Sequence, residues 1–121
     1  AGTVEEQFFK RTTGQLTDTV LATIQLLSDD TATNLCVRVL VKSEIPDVLA
    51  SFELNWTVFY DGAVVTPVNS TVDILSQRNT AATPLTLNLK VSAGGGIDVV
   101  ATSTIAMNDL GWQSCVWSSF F

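Results

Sequence analysis

At 121 residues the chain is one domain's worth of protein, since domains most often run to roughly 100–150 residues. Hydrophobic residues make up 46% and charged residues only 15%, below the usual ~25%, and Thr, Ser and Asn fill the difference. The formal charge is −6, and the six basic residues (Lys10, Arg11, Arg38, Lys42, Arg78, Lys90) are scattered. That balance excludes direct nucleic-acid binding, which needs clustered cations against phosphate.

Residues 1–15 stand apart as an N-terminal arm and 16–121 as the folded domain. Thr3 followed by Glu6 fits a capping box, so two readings stand for this segment: two helical turns from Val4 to Arg11 ending near Gly14, or a frayed terminus. Phe8 and Phe9 are costly to leave in water, which makes the arm a candidate docking segment. The segment lacks the basic-then-apolar layout of a signal peptide. Either a signal has been removed or Ala1 follows an excised initiator Met.

From Thr17 onward period-two alternation dominates. Val20, Ala22, Ile24 and Leu26 face inward against Leu21, Thr23 and Gln25, and Ser28-Asp29-Asp30 closes that strand. Leu35, Val37, Val39 and Val41 form one face of the next, with Cys36, Arg38, Leu40 and Lys42 on the other, until Ile45-Pro46-Asp47 breaks it. Phe52, Leu54, Trp56, Val58 and Tyr60 face inward and alternate with Ser51, Glu53, Asn55, Thr57 and Phe59. Asp61-Gly62 predicts a tight hairpin with both residues at positive φ.

Val64, Thr66 and Val68 make a return strand, which Pro67 places at an edge. Ser76 to Thr83 reads as a loop. Leu85, Leu87, Leu89 and Val91 then alternate with polar residues, Gly94-Gly95-Gly96 turns, and Ile97 to Ile105 continue. The last strand runs from Trp112 to Phe121. Seven or eight short strands predict an all-β, two-sheet antiparallel β-sandwich, jelly-roll or immunoglobulin-like.

Catalytic chemistry is hard to assemble from this chain. Histidine is absent, which removes the side chain most used for proton transfer near neutral pH. No Gly-x-Ser-x-Gly, P-loop or dinucleotide fingerprint occurs, and the carboxylates fall mostly at strand ends, where Asp forms turns. The chain is therefore read as a non-enzyme without catalytic, cofactor or metal residues. There is no run of about 18 apolar residues to span a membrane. Cys36 shares the outward parity of Arg38 and Lys42, so a buried Cys36–Cys115 bridge is not expected, and both thiols stay reduced.

The final strand carries aromatic residues on both faces, which a half-solvated edge strand does not do. Either it is central in its sheet or one face meets another subunit. Leu21, Leu40 and Phe59 sit on polar faces and point towards an oligomer. The candidate contacts are Phe8, Phe9, Leu21, Leu40, Phe59, Trp112, Trp117, Phe120 and Phe121.

The order of signals carries a resemblance: the opening strand Thr17-Asp18-Thr19-Val20-Leu21-Ala22-Thr23-Ile24, the turn Ser28-Asp29-Asp30-Thr31, the strand Cys36-Val37-Arg38-Val39-Leu40-Val41, the aromatic strand ending Tyr60-Asp61-Gly62 with its return strand, and the pair Leu85–Val91 and Gly95–Val100 before a Trp-bearing close. In these the chain resembles a small β-sandwich module of tailed-bacteriophage structural proteins, found on head fibres, capsid decorations and tail appendages. The resemblance implies a virion location, self-association as a homotrimer, and a capsid or tail protein as partner. A host-surface glycan is a further candidate ligand. It implies no catalytic residues. The competing expectation is a secreted immunoglobulin-like adhesion or pilin-like module, which would be extracellular and carry a Cys36–Cys115 disulfide.

Overall fold

A computed structural model describes residues 2–26, 31–43, 48–79 and 85–121. Among these residues nine strands form: β1 (Gly2–Gly14), β2 (Thr19–Ile24), β3 (Thr31–Ser43), β4 (Leu49–Tyr60), β5 (Val65–Pro67), β6 (Asp73–Asn79), β7 (Leu85–Val91), β8 (Ile97–Ser103) and β9 (Met107–Phe120). They make two sheets. The larger has the order β1-β9-β3-β4-β5, with β6 also paired to β4, and the smaller is β2-β8-β7. All pairings are antiparallel. The all-β sandwich expected from alternation is the fold observed.

The alternation works because each strand turns one row of side chains into the space between the sheets. Leu35, Val37, Val39 and Val41 of β3 and Phe52, Leu54, Trp56 and Val58 of β4 supply one wall, while Leu85, Leu87, Leu89, Ile97 and Val99 supply the other. The indole N–H of Trp56 donates to the carbonyl of Asn69 at 2.9 Å, so its burial leaves no orphan donor.

Pairing is nested. The first strand joins the last, and the second joins the second-last, so the two ends of the chain form a ribbon that passes from one sheet to the other. Wrapping a ribbon in this way is jelly-roll logic, although the β3–β4 pair stays within one sheet.

Several expectations are corrected. Residues 2–14 are not helical turns or a separate arm but an edge strand, in register with β9 from Gly2↔Phe120 to Thr12↔Leu110. Val4, Glu6 and Phe8 are half-buried and alternate with exposed Thr3, Glu5, Gln7 and Phe9. A capping box offers about 1 kcal/mol, which a long ladder outweighs.

Leu21 is not on a polar face. A register shift between Val20 and Ala22 adds one residue to β2 against β8, so parity slips and both Leu21 and Ala22 enter the core.

Of the expected loop at 76–83, Ser76 to Asn79 belong to β6, and the remainder lies outside the described residues. So do Ser28-Asp29-Asp30 and Ile45-Pro46-Asp47.

The Asp61-Gly62 turn is longer than a two-residue hairpin, since Tyr60 pairs with Val65. Gly62 has φ 96°, while Asp61 instead uses its carboxylate to accept from the backbone N–H groups of Ala63 at 2.8 Å and Val64 at 2.6 Å. Pro67 does lie on an edge strand, as expected.

Candidate assembly surface

The larger sheet has one face in the core and one towards solvent, and the solvent face is built by parity. β3 contributes Cys36, Arg38, Leu40 and Lys42. Their neighbours on β4 are Asn55, Glu53, Ser51 and Leu49, and on β9 they are Trp117, Cys115, Gln113 and Gly111. β1 extends the same rows with Glu5, Gln7, Phe9 and Arg11.

A small polar cluster sits at the centre. Arg38 Nε donates to Glu53 Oε1 at 3.0 Å, and its guanidinium carbon lies 5.2 Å from the centroid of the Trp117 ring. The cation is thereby paired on one side and stacked on the other. The Cys36 thiol donates to the same Glu53 oxygen at 3.6 Å. Burial pushes this thiol above its ordinary pKa, and the Glu53 carboxylate adds to the effect. Among the described residues, Asn55 Oδ1 is buried beside this cluster without a hydrogen-bond partner.

Clefts open on this face. One of about 540 Å³ lies around Arg38, Glu53, Arg78 and Trp117. Another, of about 400 Å³, forms where Gly111 has no side chain, between Phe9, Leu40, Arg11 and Lys42. At the opposite end Phe121 exchanges backbone hydrogen bonds with Ala32, which itself pairs with Phe59.

The candidate contacts therefore divide. Phe9 (73% exposed), Leu40, Phe59 and Phe121 (88% exposed) are open to solvent, and half-buried Trp117 shares their face. Phe8 is half-buried against the core. Phe120 is half-buried, with its ring 2.8 Å from where a Gly2 Cβ would stand.

Leu21 and Trp112 are core residues and are unavailable for contact. Strand β9 is central, between β1 and β3, and its aromatic residues divide, with Trp112 in the core and Trp117 on the solvent face beside Cys36. The Arg38–Glu53–Trp117 cluster went unforeseen because its members come from three strands whose register no local pattern reveals.

Cys36 and Cys115 are both free thiols. They lie diagonally on neighbouring strands, where Cα atoms stand about 7–8 Å apart, beyond the usual disulfide span of roughly 4.4–6.8 Å. Among the described residues no group of three or more His, Cys, Asp or Glu side chains is placed to hold a metal ion. No helix there is long and apolar enough to cross a membrane.

No known family model matches this sequence, and no curated protein does. Among solved structures, two phage proteins align weakly with this chain. The tailspike protein of Acinetobacter baumannii phage AM24 aligns with TM-score 0.49 and 10% identity over 94% of this chain and 26% of its own. The tailspike protein of Acinetobacter phage vB_ApiP_P1 aligns with TM-score 0.45 and 11% identity over 88% of this chain and 20% of its own. The chain thus spans about a quarter or less of those proteins.

Proposed function

We propose that this chain is a virion structural module, a capsid decoration or a component of a fibre or tail appendage, acting by assembly and surface contact and not by catalysis. The observation that carries this reading is the solvent face of the larger sheet. Phe9, Leu40 and Phe59 are exposed there on a rigid support, and its central charge, Arg38, is already paired and stacked. Such a face loses little on desolvation, which is what a contact surface requires.

The phage-module resemblance of the sequence supports the same setting. It would make the self-association a homotrimer, whereas the charge pattern described below favours two copies. A capsid or tail protein is the partner proposed for the face, and exposed aromatics such as Phe9 leave a host-surface glycan as a second ligand class. The secreted-adhesion alternative predicts a Cys36–Cys115 bridge, and both thiols are free.

Mass spectrometry of purified particles tests the reading. The expected result is the chain present in stoichiometric copies, with incorporation reduced by Leu40→Ser or Trp117→Ser. Its absence from particles of the source that encodes it would sink the proposal.

A further inference from the structure

Strand β1 stands at the end of the larger sheet, so among the described residues one of its two edges has no neighbouring strand. An open edge of backbone N–H and C=O groups is a template for another strand. At 13 residues β1 is long, against about 5–6 for an ordinary strand. Its one register shift is confined to the Thr12–Gly14 end, so the stretch from Gly2 to Thr12 is regular.

The side chains along that stretch read Glu5-Glu6-Gln7-Phe8-Phe9-Lys10-Arg11, with acids and bases placed symmetrically about Phe8. Directly opposed residues in an antiparallel pair point to the same face. A strand meeting its own copy about a two-fold axis must therefore oppose residues of equal parity. With Phe8 opposite Phe8, Glu5 opposes Arg11 on the solvent face and Glu6 opposes Lys10 on the other, each pair occurring twice by symmetry. Moving the axis to Gln7 or Phe9 loses both charge pairs. Moving it to Glu6 or Lys10 opposes like charges.

We propose that β1 pairs antiparallel with β1 of a second copy, with the two-fold axis at Phe8, so that the larger sheet runs unbroken through a dimer. The four charges of β1 cancel, so the chain's −6 lies entirely elsewhere, and the edge brings two acidic bodies together without like charge at the contact. Arg11 already holds Asp109 at 3.1 Å, and a guanidinium with five donors takes a second carboxylate as well. Phe9 would lie opposite the partner's Gln7 and lose part of its exposure. The inference rests on β1 alone and not on the virion reading, so either can fail without the other.

Sedimentation equilibrium of the whole chain tests it. The expected wild-type mass is that of two chains, with association weakening as salt rises. Glu5→Lys with Glu6→Lys, and separately Lys10→Glu with Arg11→Glu, should each weaken self-association at least about tenfold. An equimolar mixture of the two variants should restore a two-chain species containing one of each. If a double variant does not fold, Lys10→Glu alone changes an exposed position and should still weaken the dimer. A monomeric wild type, a three-chain species, unweakened variants, or folded variants that do not recover on mixing would each overturn the proposal.

Discussion

The indole N–H of Trp112 donates to the hydroxyl of Thr12 at 2.8 Å, inside the core. The bond ties the first strand to the last, and both residues are buried, with Trp112 only 2% exposed. Thr12→Val keeps the shape and the strand preference of the side chain but leaves a buried donor without a partner. The expected loss is about 1–3 kcal/mol, measured by denaturant unfolding, with Thr12→Ser milder because it retains the acceptor. A Thr12→Val protein within ~0.5 kcal/mol of wild type would show that this bond does not hold the chain ends together.

Glu53 touches both Arg38 and Cys36, and that dual role makes thiol chemistry a readout of the surface cluster. The Cys36 thiol is held above its ordinary pKa by burial first and Glu53 second, so little thiolate is present at neutral pH. Iodoacetamide labelling followed by peptide mass analysis should find Cys36 slower than an unstructured thiol. Glu53→Gln removes the negative charge beside the sulfur and should speed labelling roughly several-fold. Equal or slower labelling in that variant would mean that Glu53 does not govern the thiol.

How far the fold could be read depended on whether the deciding contact was local. Leu40 and Phe59 were legible as outward residues because period two is a property of one strand. Leu21 was not, because its parity is reset by a bulge that exists only against β8. Trp112 and Trp117 have opposite parity on β9, and only the flanking strands reveal that the even residues face the core. The segment at 2–14 carries helix-start residues and strand alternation together, and the choice between them was made by β9, far along the chain. Ser76 to Asn79 looked like a loop because an edge strand can be polar on both faces when one side is solvent.

The β4–β5 turn should be acid-sensitive in a defined direction. Asp61 accepts from the backbone N–H groups of Val64 and Ala63, and these bonds hold its carboxyl below the ordinary value of 3.8. A carboxyl depressed in the folded state binds protons more readily when unfolded, so stability rises with pH between the two values. The stabilisation is therefore complete above the unfolded pKa and is lost as pH falls through the folded one. Asp61→Ala should be less stable than wild type at neutral pH, and the gap should close under strongly acid conditions. A gap of constant size across that range would show that the ionised carboxylate is not what stabilises the turn.

Gly96 closes the turn between β7 and β8, where its carbonyl accepts from the Ser92 N–H at 2.8 Å. A Cβ at this position would stand 2.6 Å from the backbone carbonyl oxygen of Ile24. That oxygen belongs to β2, which is fixed by its ladder with β8, so it has no flexible side chain with which to yield. Gly96→Ala must push the end of β2 away from β8 at Ile24, a fully buried core residue. The expected cost is about 1–3 kcal/mol, typical of overpacking. Gly94 provides the control, since a Cβ there meets only the Ser92 hydroxyl, at an ordinary van der Waals distance of 4.0 Å. Unfolding midpoints should fall for Gly96→Ala and stay near wild type for Gly94→Ala. Equal effects at the two positions would mean that the β2–β8 contact does not require a bare backbone at Gly96.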